Sequence, residues 1–255
     1  IRDNTGALGS LVLWSGVDVF GGFAGTEVSI EERDASANLT IIDGSASRVS
    51  GKTLAPAYHV VRGDNVNDAV LDGFLIMGGV AMDPSVSETS GGGIYLSGAD
   101  ATVVLAHLTL HGNNANTGGG ISLKNASPVI RNCRIVGNGG MDGGGLYLEG
   151  SSPQIDNVLM LNNVAAPVFE LEGRGGAAYM DGESSPFMAN ITVAGSVARD
   201  AALYSAPREN TGPLLVNAAI SYTGDMVHDV AEDVAGDIEA TFTLAQQTLP
   251  GNGNQ

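Results

Sequence analysis

Glu149 and Asp181 are the carboxylates whose spacing comes closest to chemistry. Each stands three residues after an aliphatic position, Leu146 and Ala178, that recurs along the chain, and Lys124 stands three after Ile121. An inverting glycosidase needs two carboxyls roughly 6.5–9.5 Å apart, one to protonate the leaving oxygen and one to activate water. Positions one repeat apart in stacked strands are only about 4.8 Å apart, too close for that mechanism. A Lys124 to Glu149 charge ladder is therefore expected, with a Ca²⁺ ion held by Glu149 and Asp181 as the second reading. A uronate lyase would need a base for the proton α to the carboxylate and an acidic shell for Ca²⁺. Arg131 and Arg134 point outward beside Asn132, but neighbouring repeats supply no matching charged set, and both read as surface arginines.

Other reactive types fare no better. The run Gly137-Asn138-Gly139-Gly140-Met141-Asp142 approximates a Ca²⁺-binding β-roll nonapeptide once, with Gly144 at its apolar position. The four histidines are His59, His107, His111 and His228. A four-residue separation such as His107 to His111 converges ligands on a helix and not on a strand. Cys133 takes an inward alternating position and reads as core. No catalytic residue and no resident cofactor are assigned. Four of the six tyrosines, Tyr95, Tyr147, Tyr179 and Tyr204, share one repeat position, with Ser122 in the remaining repeat. They are expected to form an exposed stripe whose rings stack on one another or offer a flat platform to sugar rings.

The elements that must carry these side chains are set by a repeat. Gly91-Gly92-Gly93-Ile94-Tyr95-Leu96 aligns with Gly118-Gly119-Gly120-Ile121-Ser122-Leu123 and with Gly143-Gly144-Gly145-Leu146-Tyr147-Leu148. Weaker copies end in Ala178-Tyr179-Met180 and Leu203-Tyr204-Ser205, so the fourth position advances in steps of 27, 25, 32 and 25. A second signature keeps the same register: Ser127-Pro128, Ser152-Pro153, Ser185-Pro186 and a degraded Gly212-Pro213. The long step therefore holds an insertion of about 7 residues within Val164 to Arg174, expected to pack over Leu159 and Leu161 with Phe169 as cover. Within each repeat, Ile94 and Leu96 flank Tyr95, and Cys133 and Ile135 flank Arg134. That is strand alternation, and the short gaps leave no room for crossover helices. Coils of three short strands stacking on their neighbours, an all-β solenoid of about 25 residues per coil, satisfy both constraints.

Asn132, Asn157, Asn190 and Asn217 each follow the proline position by four residues. They are expected to stack as a structural ladder at one corner and to satisfy polar groups that the bend would otherwise bury. Earlier coils are read in Tyr58 to Met82 and in the strands at Val17-Asp18-Val19-Phe20 and Leu39-Thr40-Ile41-Ile42; a later strand is read at Ile238 to Thr243. The whole chain, 1–255, is expected to be one such domain, truncated at its C-terminal end because no polar cap closes it.

The formal charge of −17 repels phosphate backbones and anionic membrane surfaces. Nucleic acid is excluded as a partner on that ground. The single cysteine precludes an intramolecular disulfide, and no apolar run reaches transmembrane length.

Gly21-Gly22-Phe23-Ala24-Gly25-Thr26-Glu27, Glu32-Arg33-Asp34, Thr40-Ile41-Ile42-Asp43-Gly44, Leu71-Asp72-Gly73-Phe74, the Gly-Gly-Gly-Ile repeats and the Ser-Pro-x-Ile-x-Asn-Cys corner resemble the bacterial surface proteins built from right-handed parallel β-helix repeats, closest to those with a choice-of-anchor C-terminal region. The repeats are also similar to those of polymorphic outer-membrane proteins, although Phe-x-x-Asn survives here only as Leu110-His111-Gly112-Asn113 and Ile135-Val136-Gly137-Asn138. The resemblance implies a right-handed parallel β-helix that is extracellular or on the cell surface. Together these readings lead to the expectation of a non-catalytic solenoid presenting a face to glycans or surface proteins. The alternatives are a polysaccharide lyase or glycoside hydrolase on the same scaffold, and a structural subunit of a surface assembly.

Overall fold

The computed structural model describes residues 9–45, 48–49, 52–53, 55–83, 85, 88–166, 173–206 and 213–222, together with the strands Glu232–Ala235, Glu239–Thr241 and Leu244–Gln246. Its strands stack into a parallel β-helix. The first face is built from Leu11–Val12, Val61–Asp64, Ile94–Ser97, Ile121–Lys124, Leu146–Glu149, Ala178–Met180, Ala201–Ser205 and Glu232–Ala235, in that spatial order. The second and third faces share a bent sheet. In the middle coils single long strands, Val129–Val136, Gln154–Leu161 and Phe187–Ser196, run from one face onto the other. A narrow fourth strip of Val80–Ala81, Asn114–Ala115, Gly139–Gly140 and Val164–Ala165 closes each of these coils. Among the described residues, the 3₁₀ turn Ile30–Glu32 is the only helical element and Arg48–Val49 with Lys52–Thr53 the only antiparallel strand pair.

The inward column follows from the period of two. Ile94, Ile121, Leu146, Ala178 and Leu203 lie in register on the first face, all fully buried. Each Leu or Ile removed from water in this way contributes about 1.5–3 kcal/mol. Val158 and Met160 are buried while Leu159 and Leu161 stay half-exposed on the outer side. The proposed cover, Phe169, lies outside the described residues.

Between the second and third faces the chain turns on one residue per coil. Gly73, His107, Asn132, Asn157, Asn190 and Asn217 occupy that corner with φ of +86°, +50°, +55°, +52°, +54° and +51°. The left-handed region accepts Gly freely and Asn more readily than other side chains. These asparagines are exposed, which corrects the expectation that they rescue buried groups at the bend. Their amides still touch along the axis: Asn157 Nδ2 donates to Asn132 Oδ1 at 2.7 Å and Asn217 Nδ2 to Asn190 Oδ1 at 2.6 Å. The column breaks once, where Asn190 Nδ2 donates to Asp156 Oδ1 at 2.8 Å.

A second column lies inside. Asn113, Asn138 and Asn163 are at most 1% exposed, and Ser196 continues their line. Asn138 Oδ1 accepts from both the backbone N–H and the Nδ2 of Asn113, each at 3.1 Å, and Asn163 Oδ1 does the same for Asn138. The Nδ2 groups of Asn113, Asn138 and Asn163 also donate to Ile76 O at 3.1 Å, Leu110 O at 3.0 Å and Ile135 O at 2.8 Å, so these buried amides are paired at the turn into the fourth strip.

Candidate functional site

The tyrosines form a single column, Tyr95, Ser122, Tyr147, Tyr179, Tyr204, in strict register. It is not the exposed stripe its alternation predicts. Tyr95 and Tyr179 are only 4% and 7% exposed, and Tyr147 and Tyr204 are half-buried. The reason is the segment that enters each coil, where Ser90, Thr117, Asp142 and Arg174 bridge one another along the axis and line the rings. Tyr147 stacks on Tyr179 at 5.2 Å and Tyr179 on Tyr204 at 5.3 Å, with interplanar angles of 6° and 11°. The Arg174 guanidinium sits 4.9 Å and 5.5 Å from the centroids of Tyr179 and Tyr204 and makes a two-pronged pair with Asp142 at 3.1 Å and 2.9 Å. At the other end His59, buried, stacks on Tyr95 at 5.0 Å, and Tyr95 donates to Glu88 at 2.8 Å. Loss of solvent pushes the Tyr147 hydroxyl up to about 12. The ring faces are spent on one another and on Arg174, leaving edges to the outside.

The carboxylate pair is likewise absorbed. Lys124 Nζ lies 3.1 Å from Glu149 Oε1, and this bond holds the lysine above its ordinary pKa. Asp181 folds back instead, accepting from Gly150 N at 3.1 Å, Glu183 N at 3.1 Å and Ser184 Oγ at 2.7 Å. Cys133 is buried, and desolvation raises its thiol to about 12. Of the two outward arginines, Arg134 proves to line a cleft.

That cleft, about 880 Å³, opens where the first coil departs from the others. In later coils one left-handed residue joins the second face to the third. In the first coil residues 21–39 fill the same corner, between the strands Val19–Phe20 and Thr40–Asp43. This excursion folds onto the neighbouring coils. Asp34 N donates to Gly22 O at 2.9 Å and Gly22 N to Thr40 Oγ1 at 2.9 Å, closing it on itself. Arg33 then anchors it: Nη2 lies 2.8 Å from Asp72 Oδ2, Nη1 donates to Gly21 O at 3.1 Å, and the guanidinium sits 5.1 Å from the Phe20 ring centroid. Gly73 makes the seat, since a Cβ there would stand 2.8 Å from Arg33 Nη1.

Asp72 is 5% exposed and carries a second partner, His107 Nδ1, at 3.0 Å. Because a carboxylate only accepts, Nδ1 bears the proton. His107 Nε2 faces Asn132 Nδ2 at 3.2 Å. Asn132 Oδ1 is already fixed as an acceptor by Asn157, so it is the amide nitrogen that Asn132 turns toward His107. Thr109 and Arg134, register neighbours on the third face, continue this floor. The cleft is lined by Phe20, residues 30–36, His107, Leu108, Thr109, Asn132 and Arg134. Glu32 accepts from Val28 N at 3.1 Å and Asp34 from Ser36 Oγ at 2.6 Å. Hydrogen bonds from the Ser29 and Ser36 hydroxyls hold Glu31 and Asp34 below the ordinary carboxylate range.

Sequence reasoning assigned no role to Arg33, Asp72 or His107. The signal was present: His107 holds the corner position of Asn132 one coil earlier, and Asp72 precedes the same position one coil before that. The family described as a right handed beta helix region matches residues 42–223. No curated protein and no solved structure matches the chain.

Proposed function

Since the chain belongs to the right-handed β-helix family, whose matched stretch of 42–223 contains Asp72, His107, Asn132 and Arg134, we propose that it is a non-catalytic binding solenoid, secreted or held at a cell surface, and that it takes glycans in the roofed cleft. The observation that carries this reading is the contrast in how charge is used. Several outward ionisable groups elsewhere are spent on the solenoid: Lys124 on Glu149, Arg174 on Asp142, Asp181 on three donors. In the cleft Arg134 is an exposed guanidinium that makes no ion pair among the described residues, beside an imidazole and a concave wall. Planar polar groups around a partly apolar hollow are the usual furniture of a ligand site. The tyrosine column carries no part in this reading, because its faces are occupied. Secretion or surface display is supported by the resemblance in the repeats and by the acidic charge of −17.

The test is a glycan array probed with the intact chain, run beside incubation with uronate and neutral polysaccharides. Array binding that Arg134→Ala abolishes and Tyr147→Phe leaves intact is expected. New reducing ends or unsaturated products would replace this reading with the enzymatic one.

A further inference from the structure

Resting on the reading of the cleft as the binding surface, we infer that its ligand is a neutral oligosaccharide whose hydroxyl groups bridge Arg134 on the floor and Glu31 and Glu32 on the roof. The two walls make opposite demands. The floor offers donors from Arg134 and Asn132, and the roof offers exposed carboxylates on residues 31 and 32. An anionic sugar would satisfy Arg134 and meet repulsion from the roof, reinforced by the net charge of −17. An amine would satisfy the roof and meet Arg134 and Arg33. A hydroxyl donates to a carboxylate and accepts from a guanidinium at once, so vicinal hydroxyls match both walls without carrying charge into the cleft.

The remaining lining agrees. The half-buried Phe20 and the exposed Ile30 give an apolar strip suited to the C–H face of a pyranose. A volume of about 880 Å³ is at the upper end of ordinary ligand sites, which suits a short oligosaccharide better than one sugar. The roof's position depends on Gly73, whose φ of +86° lies in the left-handed region where Asn132, Asn157, Asn190 and Asn217 stand at +51° to +55° in the later coils. Gly73→Asn puts at this corner the residue type that the later coils carry there, while its Cβ would crowd Arg33 Nη1, Gly21 O and Ala35 and lift the roof.

The experiment is calorimetric titration of the whole chain with three panels, neutral, uronate and amine-bearing oligosaccharides, at low and high salt. Binding confined to the neutral panel, with an affinity nearly independent of salt and weakened at least about tenfold by Arg134→Ala, Glu32→Gln and Gly73→Asn, is expected. Arg134 and Glu32 are exposed, so their variants remain informative if Gly73→Asn fails to fold. Preference for the uronate or amine panel would overturn the neutral-ligand inference and leave the cleft standing if the same variants abolish it. Binding untouched by Arg134→Ala and Glu32→Gln would overturn the cleft itself. Silence from every panel would overturn both.

Discussion

Two asparagine columns run along this solenoid at the same period, and they are there for different reasons. The outer column, Asn132, Asn157, Asn190 and Asn217, is exposed, and its common property is a left-handed backbone. One coil fills the same corner with His107 and another with Gly73, so the amide is replaceable. The inner column, Asn113, Asn138 and Asn163, is buried, and its side chains bond from coil to coil, those of Asn113 and Asn138 to the coil on either side. There the amide itself is required. A repeated residue in a solenoid can thus report a dihedral angle or a hydrogen-bond inventory, and burial separates the two.

The sharpest way to break this comparison is Asn138→Leu. It strands the backbone N–H and one Nδ2 hydrogen of Asn113, and takes the side-chain donor away from the Leu110 carbonyl and from Asn163 Oδ1. Several unmade bonds in a dry turn should cost about 3–5 kcal/mol, read as a shift in the urea midpoint. A shift no larger than that of an outer-column variant would make the two columns equivalent. Asn157→Leu comes next, at about 1–2 kcal/mol from left-handed strain. Asn157→Gly should fall within about 0.5 kcal/mol of the parent, because glycine adopts that angle freely. If Gly proved as costly as Leu, the Asn132 to Asn157 bond would be the reason for the outer column after all.

The smallest effect expected is a pH dependence. Burial depresses the pKa of His59, whose Nδ1 lies 2.9 Å from Gly91 O and therefore donates to it as the neutral ring. A base depressed in the folded state is protonated more readily when unfolded. Its contribution is therefore present above the unfolded value of about 6.5 and declines as pH falls below it. Equilibrium unfolding across that range should show a shallow acid decline that His59→Phe flattens; an unchanged slope would place the decline elsewhere.

Much of this architecture was legible in the residues. Alternation around Tyr95 and Arg134, together with the steps between Gly-Gly-Gly-Ile copies, defines strands, period and inward column before any coordinates. The cleft was not, for a physical reason. Residues 21–39 occur once, so a search for period passes over them, and Arg33, Asp72, His107 and Arg134 come from four successive coils. The tyrosines misled for a related reason. Alternation places a side chain on the outer side of its own strand but says nothing of the neighbouring segment, through Asp142 and Arg174, that covers it. The inner asparagines left only the trace Leu-His-Gly-Asn and Ile-Val-Gly-Asn, in which burial cannot be read from residue type.

The parallel register of the central coils has a further consequence for how the chain tolerates editing. Ile94, Ile121 and Leu146 are successive partners, as are Asn113, Asn138 and Asn163. Removing residues 121–145, one whole period, would splice Gly120 to Leu146 and bring Asn113 against Asn163 with every column still aligned. A whole coil can therefore be excised with less damage than a single residue from within a strand, which would throw the rest of that strand onto the wrong face. The same excision would remove Arg134 and put Leu159 in its place, leaving a shorter rod that stands without its guanidinium.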